Sequence, residues 1–157
     1  MNYDWIIIDG NNLLHAAGER LCGKASFEHR RWMLARRLTE LEPLPAGRIT
    51  LVYDGSVGGR DEAFNGPPVE VVYTPKASTA DALIERLVCE RPKGCKTLVV
   101  TSDLMERHTV ESAGADVMSC SVFLPEILRP PETIMQSRLK NTRGKIPPST
   151  MGDFFPS

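Results

Sequence analysis

Short, almost wholly apolar runs alternate along this chain with stretches in which apolar residues recur every three or four positions. Trp5, Ile6, Ile7 and Ile8 form the first run, with the unbroken hydrophobicity of a strand covered on both faces. Further strands are expected at 48–53, 69–73, 97–101 and 116–119. Between them lie helical patterns. Residues 11–20 read as a short helix or turn. The next helix opens at Ser26, a good N-cap, with Glu28 in its first turn, and runs to about residue 42. Its expected core stripe is Phe27, Leu34, Leu38 and Leu41, and Pro43 and Pro45 close it. Residues 56–68, with Gly58, Gly59, Gly66, Pro67 and Pro68, read as a loop. Thr79 caps a helix that Pro92 and Gly94 stop. A helix over 104–113 ends at Gly114, and 121–128 adds another turn or two.

Strands alternating with helices predict an α/β domain with a mainly parallel sheet. The regular pattern ends near residue 128. Residues 129–157 form an extension, helical over about 132–140 and then polar, proline-broken and disordered in expectation. Within it, Met151 to Phe155 is an apolar patch that either docks on the body or serves a partner.

Composition changes this picture little. A chain of 157 residues predicts one domain, and a net charge of -1 excludes a general polycation. Any contact with nucleic acid must therefore come from local basic patches. Cys22, Cys89, Cys95 and Cys120 show neither a C-x-x-C pair nor zinc-finger spacing, so reduced thiols in a cytoplasmic protein are expected. The N-terminal run is a strand rather than a signal peptide, and no run approaches the length of a membrane span.

The candidate chemistry lies where strands end. Asp9 follows the first strand, Asp54 the second and Asp103 the fourth, while Asp81 sits in the first turn of a helix. In a parallel sheet the carboxyl ends of the strands share one edge, outside which ligands bind. Acids gathered there repel one another unless a divalent cation lies among them, and oxygen ligands suit Mg²⁺ or Mn²⁺. Glu85 lies one turn beyond Asp81 on the same helical face. Asn12 and Ser102 offer polar groups to orient a carboxylate or phosphate. Each acid alone has a structural explanation, such as an Asp-Gly turn at Asp54 or a dipole partner at Asp81. Four such placements together favour a metal-dependent site that cleaves phosphodiesters.

These residues carry a resemblance. Asp9-Gly10-Asn11-Asn12 after the first strand, Val52-Tyr53-Asp54-Gly55, Thr79-Ala80-Asp81 running to Glu85-Arg86-Leu87, and Thr101-Ser102-Asp103 occur in the order found in the YacP-like branch of the NYN domain family, within the PIN-like nucleases. The chain resembles that family over about 3–128. The resemblance implies a PIN-like three-layer α/β/α fold and a metal-dependent endoribonuclease. It implies Asp9, Asp81 and Asp103 as catalytic metal-site acids, with Asn12 and Asp54 close by. It also implies RNA, single-stranded, as substrate and the ribosome as a partner. Two positions depart from the pattern: Asn11 where an aromatic residue is frequent, and Ser78 where Glu is frequent. A catalytically weak RNA- or ribosome-binding module is therefore the alternative. A phosphatase of the haloacid dehalogenase type would need a second acid at Asn11.

For RNA contact, Arg30, Arg31 and Arg37 lie along one helical face in a stretch with a local charge of about +4, and Lys76 lies near Asp81. Trp32 is expected in the core, the alternative being a stacking platform beside the arginines. His15, His29 and His108 show no spacing for a metal or a dyad.

Overall fold

The computed structural model describes residues 3–21, 23–41, 43–55 and 57–128. The extension expected at 129–157, with its helix and apolar patch, lies outside these residues, as does Cys22.

Six strands form one sheet in the order β3-β4-β2-β1-β5-β6. They are β1 (Tyr3–Asp9), β2 (Ala46–Asp54), β3 (Val57–Arg60), β4 (Val69–Pro75), β5 (Thr97–Val100) and β6 (Asp116–Met118). All neighbours run parallel except the β3/β4 pair. Among the described residues five helices flank the sheet: α1 (Gly10–Ala17), α2 (Phe27–Thr39), α3 (Ala80–Glu90), α4 (Leu104–Ser112) and α5 (Cys120–Leu128).

Side chains on a strand point alternately to the two faces, and this sorts the core into two layers. Ile6, Ile8, Leu51 and Val100 pack against α1, α2 and α5. Trp5, Ile7, Val52 and Val99 pack against α3 and α4. The result is the expected three-layer α/β/α arrangement around a mainly parallel sheet. The apolar runs of β1 and β5 follow from burial on both sides.

The local signals at helix starts hold in detail. Ser26 Oγ accepts the His29 N–H at 3.1 Å, and Thr79 Oγ1 accepts the Ala82 N–H at 3.1 Å. Gly114 ends α4 with φ 94°, a conformation that favours glycine.

Three expectations are corrected. The segment read as a loop over 56–68 contains β3 and a 3-10 turn, Glu62–Phe64. An antiparallel edge strand needs a partner on only one side, so its short, glycine-rich sequence carries little apolar signal. Phe27 is 46% exposed rather than part of the α2 stripe, whose buried members are Leu34, Ala35 and Leu38. Trp32 is 41% exposed, not core. It stacks on His29 with ring centroids 6.1 Å apart, and the Arg36 guanidinium lies 5.3 Å from its ring.

The order of strands fixes where a site can form. After β1 the chain passes to α1 on one face; after the adjacent β5 it passes to α4 on the other. The loops therefore diverge, and a crevice opens between the carboxyl ends of β1 and β5.

Candidate active site

Asp9 ends β1 at this crevice and is 2% exposed. It is also the N-cap of α1. Its Oδ1 accepts the Asn12 N–H at 3.2 Å, and its Oδ2 accepts from the Asn12 side-chain amide. Burial raises the Asp9 pKa, the two Asn12 bonds oppose that rise, and the negative charges of Asp81 and Asp54 add to it. The glycine that follows is required by packing. A Cβ on Gly10 would stand 2.3 Å from the Tyr53 ring, which crosses beneath the start of α1. Gly10 thus lets Asp9 and the buried Tyr53 occupy the same corner.

Asp81 enters from α3, half-buried in its first turn. Its pKa is raised by burial and by the carboxylates of Asp103 and Asp54. The third acid is Glu106, in the first turn of α4 and 1% exposed. One oxygen from each of Asp9, Asp81 and Glu106 lies within 4.8 Å of the other two. Both Glu106 carboxylate oxygens are buried and have no hydrogen-bond partner among the described residues. Its pKa is pushed up to about 8, chiefly by burial, with the neighbouring Thr101 hydroxyl opposing the rise and the charges of Asp81 and Asp9 adding to it.

A buried, unpartnered carboxylate among two other acids is costly unless it is protonated or neutralised by a cation. The trio therefore fits a divalent metal, and its all-oxygen donor set suits Mg²⁺ or Mn²⁺.

Glu106 was not anticipated from the sequence, yet a signal for it exists. Asp103-x-x-Glu106 is the spacing of a capping box. Asp103 fills the N-cap role, its Oδ1 accepting from Met105 N at 2.9 Å and Glu106 N at 3.3 Å. In a closed box Glu106 would reach back to the Asp103 N–H. That N–H instead donates to Thr101 Oγ1 at 3.1 Å. Glu106 is thereby free to turn into the crevice.

The other expected residues fall into place around this trio. Asp103 borders it, close enough to raise the Asp81 pKa, but lies outside the three-oxygen group. Asp54 is exposed and also outside it. Its Oδ1 accepts the Ala80 N–H at 2.7 Å, and its Oδ2 accepts from the Asn11 amide at 3.3 Å. Asp54 therefore ties the start of α3, and with it Asp81, to the start of α1. Asn12 holds Asp9 as described. Ser102 is exposed at the same edge, and Glu85 is half-buried one turn along α3, outside the group.

The arginines of α2 make contacts within the fold. Arg30 donates to the carbonyls of Leu14 at 2.8 Å and Gly18 at 2.6 Å, and Arg37 donates to the Ile127 carbonyl at 3.0 Å. The Arg31 guanidinium sits among the rings of Phe27, Tyr53 and Tyr73. These side chains bind α2 to its neighbours. Lys76, in the turn after β4, remains exposed.

Comparison with known proteins agrees with this fold and sequence. The family model described as the YacP-like NYN domain matches residues 6–150, continuing past residue 128. The YacP protein of Bacillus subtilis (strain 168) is 31% identical over 146 residues, covering 91% of this chain and 83% of that protein. The crystal structure of Rae1 (YacP) from Bacillus subtilis superposes with a TM-score of 0.67 at 25% identity, covering 90% of this chain and 83% of that one. A single-substitution variant of Rae1 gives a TM-score of 0.66 at 28% identity, covering 90% of this chain and 82% of that one. Among the described residues no helix is long and apolar enough to cross a membrane.

Proposed function

The chain belongs to the YacP-like NYN domain family, whose fold is nuclease-like, and from that premise we propose that it is a metal-dependent endoribonuclease. The observation that carries the proposal is Glu106: two buried oxygens with no hydrogen-bond partner among the described residues, beside Asp9 and Asp81. Asp9, Asp81 and Glu106 would hold Mg²⁺ or Mn²⁺, with Asp103 at the border of the site. The ion would supply an activated water and charge neutralisation for in-line hydrolysis of a phosphodiester, leaving a 5′-phosphate and a 3′-hydroxyl.

The protein's own contribution is positional. Asn12 fixes both oxygens of Asp9, so the carboxylate keeps one orientation as substrate arrives. Asp54 sets the start of α3 and thereby the placement of Asp81. The N-terminal ends of α1, α3 and α4 all meet the crevice edge, and their dipoles favour the phosphate that would bind there. Lys76, exposed in the turn between β4 and α3, would meet the RNA backbone. The substrate is single-stranded RNA in a cytoplasmic setting, with the ribosome as partner; for both, the support is likeness to the family.

The test is cleavage of a labelled single-stranded RNA with Mn²⁺, with EDTA, and by Asp9→Asn protein with Mn²⁺. Cleavage by the wild type alone, and only with metal, is expected. Cleavage that persists in Asp9→Asn would place the chemistry elsewhere. Absence of cleavage on both free RNA and translating ribosomes would favour the binding module, the reading that Ser78 suggests by replacing a carboxylate.

A further inference from the structure

On the α1/α2/α5 side of the sheet, a cavity of about 150 Å³ opens between α2 and the β3–β4 segment. Its lining includes Glu28, Arg31, Trp32, Asp61, Phe64 and Tyr73. The composition is unusual for a surface hollow, since three aromatic rings share it with one guanidinium and two carboxylates. The Arg31 guanidinium is fixed by rings on several sides, 5.1 Å from the Phe27 centroid, 5.5 Å from Tyr53 and 5.4 Å from Tyr73. Its Nε is buried with no hydrogen-bond partner among the described residues. Among the described residues, neither Glu28 nor Asp61 forms an ion pair with Arg31 or any other cation. One Asp61 oxygen accepts the Ala63 N–H at 3.0 Å, which holds the carboxylate at the cavity wall.

The cavity is coupled to the crevice by contact. The Tyr53 ring that forbids a side chain at Gly10 is the same ring that Arg31 packs on, and Tyr53 stacks on Tyr73 with centroids 5.9 Å apart. One buried ring therefore separates this hollow from the helix start that carries Asp9.

We propose that this cavity binds one unstacked guanine of the RNA, an inference that rests on reading the chain as a ribonuclease. Single-stranded RNA is recognised by splaying bases onto aromatic rings and guanidinium planes and by bonding their exposed edges. A hollow of about 150 Å³ takes a single aromatic group rather than a run of nucleotides. Guanine presents two adjacent donors, N1–H and the 2-amino group, and one acceptor, O6. Two carboxylates and one arginine offer the complementary set. Adenine would turn its N1 acceptor toward a carboxylate, and a pyrimidine would leave much of the ring platform uncovered. Arg31 and Trp32 thus take part in base recognition, a different use from the phosphate row expected of the helix.

The experiment uses tryptophan emission. The chain has two tryptophans, and Trp5 is buried at 4% exposure, so Trp32 reports on the cavity. Two uridine hexanucleotides, one with a single central guanosine and the other with adenosine there, are titrated into full-length protein in EDTA. Quenching with affinity at least about tenfold tighter for the guanosine oligonucleotide is expected. The combined variant Glu28→Gln, Asp61→Asn, in which Asn keeps an acceptor for Ala63, should lose that preference while its melting curve stays unchanged. Equal affinity for the two oligonucleotides, or a preference that survives in the variant, overturns the proposal. Cleavage of the same oligonucleotides with Mn²⁺ is scored separately. Guanosine-selective quenching without cleavage, on these oligonucleotides and on translating ribosomes alike, would sink the nuclease reading and leave the cavity's role as a base-binding site standing. Cleavage without selective quenching would do the reverse.

Discussion

At the residue scale, Glu106 concentrates the conflict that the site has to resolve. Without metal, its pKa of about 8 stands well above the ordinary 4.5 for glutamate. A raised native pKa means that the folded state holds the proton more tightly than the unfolded chain does. The stabilisation this gives is complete below pH 4.5 and is lost as pH rises through about 8. Metal-free wild type should therefore lose stability between pH 6 and 8.5 relative to Glu106→Gln, which has no proton to lose. The expected difference is on the order of 5 °C in Tm, read from melts of both proteins in EDTA. Parallel pH slopes would show that Glu106 does not carry this strain. A second residue-level expectation concerns the Gly10–Tyr53 contact. Gly10→Ala should cost about 1–3 kcal/mol in urea titration, because the added methyl must displace a fully buried ring. Tyr53→Phe should be neutral or stabilising by about 1 kcal/mol, since the Tyr53 hydroxyl is buried without a partner among the described residues.

At the scale of elements, α3 shows how the site is held from a distance. Its own N-cap is Thr79, but its first N–H, from Ala80, is taken by Asp54 at the end of β2. Asp54→Ala should destabilise the fold by about 1 kcal/mol through that lost cap. It should also weaken cleavage, since Asp81 rides on the freed turn. Asp54→Asn keeps an acceptor and should retain most of both, as melting curves and cleavage rates would reveal. Equal damage from the two changes would mean that the Asp54 charge, not its cap, matters. Strands β1, β2, β4 and β5 and helices α2 and α3 were legible because burial on both faces, or a cap with an apolar stripe, writes a strong local pattern. The edge strand β3 was not, because one-sided pairing leaves its sequence polar and glycine-rich. The carboxylates of Asp9 and Asp81 were legible from strand end and helix start. Glu106 escaped because its pattern reads as an ordinary capping box; only the competition of Thr101 for the Asp103 N–H frees it. The contacts of the α2 arginines were not legible, because spacing along a helix does not say which neighbouring carbonyls a guanidinium will find.

At the scale of the whole molecule, the three acids come from different layers. Asp9 belongs to the central sheet, while Asp81 and Glu106 belong to two helices on one face. When ionised together these acids repel one another between β1 and the helices α3 and α4, and a cation bound among them would offset that repulsion. Metal should therefore stabilise the whole domain, by about 2.7 kcal/mol at a concentration a hundred times its Kd. For a domain of this size that corresponds to a rise in Tm on the order of 10 °C. The effect should grow as pH approaches 8, because the metal competes with the Glu106 proton. The same measurement decides between two sets of ligands. If Asp9, Asp81 and Glu106 hold the ion, Glu106→Gln and Asp9→Asn should abolish the Mn²⁺-dependent shift. Asp103→Asn, which keeps an acceptor for the first turn of α4, should then retain more than half of it. If Asp103 is itself a principal ligand, as its place after β5 suggested, Asp103→Asn would lose the shift as completely as Asp9→Asn. The distinction needs no RNA and no turnover, so it holds whatever substrate the site serves.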